Sequence, residues 1–225
     1  MMMSHDRSLR AILAANVATI VAALLFDWGL GQLLWPYWIQ SVIIGFYARR
    51  RMLMLQDFCT EGFKINNRAV EPTSQTRTQT ANFFAVHYGI FHLFYLFFLS
   101  AFAAGSDASG HLAVTNTNTG EVSMMHVGHT DGLDLLIYVA LGIGFWLSHR
   151  ASHREHVQAD LARKPNIGSL MFLPYVRIIP MHLTIIFGAV LGGGLALVFF
   201  AALKTAADVA MHRVEHRWLQ DGKIA

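Results

Sequence analysis

Residues 177–216 constrain this chain more than any other stretch, because their apolar side chains continue for longer than one membrane crossing. The segment reads RIIPMHLTIIFGAVLGGGLALVFFAALKTAADVAMHRVEH. As one helix, the apolar block from 170 to 210 would be ~60 Å long against a hydrocarbon core of ~30 Å, so it is read as two crossings. Gly192, Gly193 and Gly194 lie at its middle, and a tight hairpin turn is expected there. The same block carries Arg177, His182, Lys204, Asp208, His212 and His216. Ionisable groups inside a membrane-length segment are costly and are read as functional or as paired with one another.

Composition supports the membrane reading. Only 14% of the residues are charged and 54% are hydrophobic, whereas a soluble domain carries about a quarter charged residues. The expected fold class is an all-α polytopic integral membrane protein, a single transmembrane domain over 1–225. Cys59 is the one cysteine, which excludes an internal disulfide and a thiolate-pair metal site. Any metal would be held by nitrogen and oxygen. The twelve histidines are the compositional oddity, since imidazole is a poor lipid-facing group. The net charge of +3 does not point to nucleic acid, because the basic residues sit where membrane topology puts them.

In chain order, an apolar run over 9–26 follows Arg7 and Arg10. It has the form of a signal peptide without a small-residue cleavage site, and is read as an uncleaved first span. The second covers 35–48 and is closed by Arg49, Arg50 and Arg51, with Trp28, Trp35, Tyr37 and Trp38 clustered at the other interface. Residues 61–80 are polar and read as a cytoplasmic loop. The aromatic-rich 82–104 is the third span, and 105–132 is an outer loop without lysine or arginine. The fourth covers 133–153, and the glycine-hinged hairpin supplies the last two. Six spans with both termini cytoplasmic place 27–35, 105–132 and 192–194 outside, and those segments hold none of the 17 Lys and Arg residues. This six-span, multi-pass topology obeys the positive-inside rule without exception.

This topology brings histidines from three helices to the cytoplasmic side: His87 from the third span, His149 and His153 from the fourth, His212 and His216 from the sixth with Asp208. His149 with His153, and His212 with His216, are i, i+4 pairs, which lie ~40° apart on a helix and can share one ion. Counting outward from Gly193, His182 and Lys204 fall at one depth, and Arg177 is level with Val209, beside Asp208. Two readings are open. One is a metal site of His87, His149, His153, His182, Asp208, His212 and His216, suited to Fe, Zn, Cu or Mn. The other pairs Asp208 with Arg177 and Lys204 as a buried ion pair or proton-handling group, with His149, His153 and His216 interfacial and the deeper His87 and His182 bonded between helices. His92, five residues from His87, points to a different face. His126, His129, Asp131 and Asp134 form a weaker metal candidate in or beside the outer loop, and Gly188 with Gly192 has the GxxxG spacing of close helix contact or homo-oligomerisation.

The segments YWIQSVIIGFYARRRML, FFAVHYGIFHLFYLFFL, PYVRIIPMHLTIIFGA and ALKTAADVAMHRVEH, with Ser148 and His149, resemble a family of bacterial integral membrane proteins classed as a domain of unknown function. The resemblance implies that His87, His149, Arg177, His182, Lys204, Asp208 and His212 occupy the family's recurrent polar positions. Where that family often has glutamate and asparagine after YW-x, this chain has Gln40 and Ser41. A looser similarity connects HYGIFH, HRASHREH and HRVEH with the histidine boxes of membrane di-iron enzymes, although no adjacent histidine pair occurs here. The function classes left open are a membrane oxidase or hydroxylase, a small metal or proton transporter, and a haem protein with His87 and His182 as axial ligands. No nucleophile motif, phosphate loop or nucleotide fingerprint is present.

Overall fold

The computed structural model describes residues 27–115, 119–191 and 193–221 together with Val17, Val21, Ala23 and Leu25; the side chains of Ser152, Glu155, 188–194 and 212–221 lie outside the described set. Most of the expected first span, the outermost termini and the Gly188–Gly192 pair therefore fall outside it. The elements are α1 (Leu30–Met54), α2 (Ser74–Gly105), α3 (Gly132–Leu161), α4 (Ile167–Phe172), a 3-10 turn (Leu173–Arg177), α5 (Ile178–Leu191) and α6 (Gly193–Asp221). Two short antiparallel ribbons join them: β1 (Lys64–Ile65) with β2 (Arg68–Ala69), and β3 (His111–Thr115) with β4 (Val122–His126).

Local chemistry sets the helix starts. Thr73 follows Pro72, and its hydroxyl oxygen accepts from the Thr76 amide at 3.1 Å, so α2 begins inside the segment read from sequence as a loop. Residues 74–80 are its first turns. Asp131 Oδ1 accepts from the amides of Leu133 and Asp134 at 2.8 and 2.9 Å, and Asp134 returns an acceptor to the Asp131 amide at 3.2 Å. That reciprocal cap opens α3. Asn166 opens α4 by accepting from Gly168 at 2.9 Å. At its far end α3 runs on to Leu161, beyond the limit of 153 expected from hydropathy. The reason is that HREHVQADL is rich in good helix formers, and loss of apolarity ends a membrane span without ending a helix.

The described residues of the segment 105–132 form a ribbon. His111 to Thr115 pair with His126 back to Val122, and Gly110 and Gly128, both at φ 77°, bracket the ribbon. Val127 is buried, and its carbonyl accepts from the Gly31 amide at 2.8 Å, which seats β4 on the start of α1. A Cβ on Gly29 would lie 1.9 Å from the Gly128 nitrogen, so only glycine allows this approach.

Helix α1 packs against α2 and α3, and α5 packs against α6. The latter two are antiparallel: Phe187 meets Phe199 at 6.4 Å near their junction, and Arg177 meets Asp208 at the open end. Leu34, Met52, Phe84, Leu99, Met181 and Phe200 form the centre of the apolar core. Opposite the β3–β4 ribbon lies a basic end, closed by the Cys59 amide to Pro165 carbonyl bond at 3.0 Å and a bidentate Arg51–Asp160 ion pair.

Three helical stretches are long and apolar enough to cross a membrane: Ser74–Gly105, Gly132–Leu161 and Ile167–Phe187. They turn large apolar side chains outward, with Phe97 69% and Leu136 68% exposed. Such surfaces are compatible with lipid contact and with a helical membrane protein.

Candidate functional site: a charge centre and its tyrosines

The polar residues of the hairpin meet α1 at the basic end. The 3-10 turn, with Pro174 near its start, carries Arg177 as its last residue. Arg177 Nη1 lies 3.5 Å from Asp208 Oδ1, and Lys204 Nζ lies 2.8 Å from Asp208 Oδ2. One carboxylate is thus shared by two cations, all three side chains being a quarter exposed or less. Lys204 and Asp208 are one helical turn apart, so α6 aligns them by its period alone. Arg177 reaches them only because the 3-10 turn packs on α6.

Tyr37 ties this centre to α1. Its hydroxyl donates to the Arg177 carbonyl at 2.7 Å, its ring meets Phe200 edge-on at 5.3 Å, and Lys204 Nζ lies 6.0 Å above the ring centroid.

A second polar group is buried between α1 and α2. His92 Nδ1 lies 2.8 Å from the Tyr88 carbonyl, and Nε2 lies 2.9 Å from Ser41 Oγ. A carbonyl can only accept, so Nδ1 carries the proton and Nε2 accepts from the serine hydroxyl. The Tyr88 hydroxyl lies 2.8 Å from Ser41 Oγ and 3.1 Å from the Ser41 carbonyl. Trp38 Nε1 donates to the His92 carbonyl at 2.9 Å. His92 is 5% exposed, and every polar atom of its ring has a partner.

The remaining histidines are dispersed. His87 and His182, expected deep in their spans, are exposed at the seam of α2 with the 3-10 turn and α5: His87 Nδ1 lies 2.9 Å from the Tyr175 hydroxyl and His182 Nδ1 lies 3.3 Å from the Tyr95 hydroxyl. Both pack against the Phe91 ring, at 5.2 and 6.3 Å. His182 shares a depth with Lys204 but is turned toward α2, away from the charge centre. His149, His153 and His156 line a cleft of about 180 Å³ at the basic end, together with Arg51, Arg177 and Tyr47. The His153 ring lies 5.1 Å from that of Tyr47. Among the described residues, His153 Nε2 and Arg177 Nε are buried polar atoms without a hydrogen-bond partner, and a cleft of this size has room for waters that would satisfy them. The side chains of His212 and His216 lie outside the described set.

Among the described residues, no three His, Cys, Asp or Glu side chains come together as a metal group. In the outer segment, Asp131 and Asp134 are occupied in capping α3, His129 is exposed, and His126 stacks on His111 at 4.9 Å. Asp107 closes the turn before β3, where the His111 amide, followed by the Ser109 hydroxyl, holds its carboxyl below the usual range.

Reading histidines for metal ligation left out Tyr37, Ser41, Tyr88, Tyr95, Tyr175 and His156. A signal for some of them was present. Tyr88, His92 and Tyr95 recur at i, i+4 and i+7, which places them on one face of a helix.

Fold and site together define a mostly helical protein with helices of membrane-spanning length and an ion-paired centre at its basic end. Over residues 2–224 the chain matches the model of a family of unknown function (DUF6498), and it belongs to that family. No curated protein and no solved structure matches it.

Proposed function

We propose that this is a multi-pass protein of the bacterial inner membrane, six spans with both termini cytoplasmic, that conducts protons or small ions through the Arg177–Asp208–Lys204 centre. The observation that carries this reading is one carboxylate divided between two cations on an apolar helical hairpin, beside a histidine-lined cleft at the same end. With Asp208 ionised, the trio is held together. A proton delivered from the cleft to Asp208 would leave two cations side by side, and their repulsion would push α6 away from the 3-10 turn. The outward strain falls on the junction between α5 and α6, where glycines let the backbone give. A resident metal is the competing account and depends on His212 and His216.

The test is reconstitution into liposomes with an imposed pH gradient and an internal pH dye. The full-length protein is expected to speed dissipation of the gradient, and Asp208→Asn to abolish that flux. Removing one member of a buried ion pair also costs about 3–5 kcal/mol, so Lys204→Met/Asp208→Leu serves as a control. It should regain part of the thermal stability lost in Asp208→Asn, Arg177 alone remaining without its carboxylate, and should not regain flux. Flux equal to that of empty liposomes, or unchanged in Asp208→Asn, would sink the proposal, and stoichiometric metal in the purified protein would favour the competing account.

A further inference from the structure

A second concavity lies between α1 and α3 at the basic end, adjoining the cleft beside the charge centre, with which it shares Tyr47 and His153. It encloses about 450 Å³ and includes Arg50 from α1 with Arg150 and Arg154 from α3. These arginines are exposed, and among the described residues none of the three makes an ion pair, in contrast to Arg51, whose guanidinium is held by Asp160. Among the described residues, no acidic side chain lines the groove. Arg150 and Arg154 are one helical turn apart and project from the same face.

One turn further toward the ribbon the character changes. Trp146 packs against Phe46 at 5.0 Å and Tyr47 at 5.1 Å, and Phe46, Trp146 and Leu147 are 47%, 40% and 57% exposed. Cationic groups thus border an outward-facing aromatic and aliphatic strip. This is the order of chemistry met by an amphiphile lying along a membrane boundary, with aromatic rings at headgroup depth and arginines at the phosphate. Guanidinium forks match phosphate oxygens in geometry as well as charge.

We infer that this groove binds an anionic phospholipid, its phosphate held by Arg50, Arg150 and Arg154 and its acyl chain laid along Trp146 and Phe46. The inference rests on the chain being embedded in a membrane, which cell fractionation tests separately. It does not depend on ion conduction.

The experiment uses full-length protein in detergent, with lipid retention measured by native mass spectrometry. Phosphatidylglycerol should be retained by the wild type in preference to phosphatidylcholine. Arg150→Gln/Arg154→Gln should retain it about thirtyfold more weakly, on the basis of one interfacial arginine charge lost at each position. Arg68→Gln, an exposed change in β2 away from the groove, should leave retention unaltered. Inorganic phosphate should not compete at matched concentration. Equal retention of the two lipids by the wild type would overturn the inference, as would unchanged retention by the double variant. Competition by inorganic phosphate would overturn it in favour of a free-phosphate site. If the double variant does not fold, the lipid comparison on wild-type protein decides.

Discussion

The Ser41 hydroxyl on α1 lies within hydrogen-bond distance of both His92 Nε2 and the Tyr88 hydroxyl. Because the His92 Nδ1 proton is committed to the Tyr88 carbonyl, Nε2 needs a donor, and Ser41 is that donor. Ser41→Ala is expected to leave a buried acceptor unpaired and to lower stability by about 1–3 kcal/mol, read as a lower melting temperature in detergent, whereas Ser41→Thr keeps the donor and should lose less. Equal losses for both would mean that packing, and not the hydrogen bond, sets the cost. In the sequence, His92 was separable from His87 by its five-residue offset, which puts the two on different faces. What Ser41 does for it was not legible, since a serine one helix away leaves no periodic trace.

At the scale of elements, the contact between α1 and α2 depends on a missing side chain. Ser41 and Gly45 are small residues one turn apart on α1, and a Cβ on Gly45 would come 2.5 Å from Tyr88 Cε1. The close approach of the two helices follows the small-xxx-small logic of membrane packing. Gly45→Ala must displace a buried aromatic ring, and is expected to cost about 1–3 kcal/mol by overpacking and to shift the Tyr88 contact. Thermal unfolding checks it, with Gly89→Ala as a comparison, since a Cβ there meets nothing within 4 Å. Alanine is the better helix former, so Gly89→Ala should be neutral or stabilising, and a loss there as large as that at Gly45 would show that the clash is not the cause. The spacing from Ser41 to Gly45 was readable in the sequence beside that of Gly188 and Gly192, but spacing alone does not say which small pair faces a neighbour. The same limit applies to the outer loop. HLAVT and VSMMH show no apolar-polar alternation that would mark them as strands, and the ribbon is held in place by the bond from the Gly31 amide to the Val127 carbonyl, which joins residues nearly a hundred positions apart.

For the whole molecule, the arrangement with most consequence is the proposed six-span topology, whose basic end faces the cytoplasm and whose β3–β4 ribbon faces outward. Cys59 is the one native thiol, so Cys59→Ser provides a background for site-directed labelling. On that background, Thr119→Cys should react with a membrane-impermeant maleimide on intact spheroplasts, and Glu61→Cys only after the membrane is opened. The reverse pattern would invert the topology, and labelling of both on intact spheroplasts would exclude an odd number of spans between them.

By itself the sequence determined that long apolar helices dominate this protein, that the last apolar block divides at its glycines into α5 and α6, and which polar residues share a depth. These are properties summed along the chain: hydropathy, length and charge sign add up residue by residue whatever the neighbours do. Only the tertiary structure decided that Arg177 and Lys204 meet on Asp208 while His182, at the same depth as Lys204, turns to Tyr95. Depth is set by counting along a helix, but facing is set by how each helix is rotated against its neighbours. That rotation comes from contacts such as Gly45 on Tyr88 and Tyr37 on Phe200, which join residues far apart in the chain.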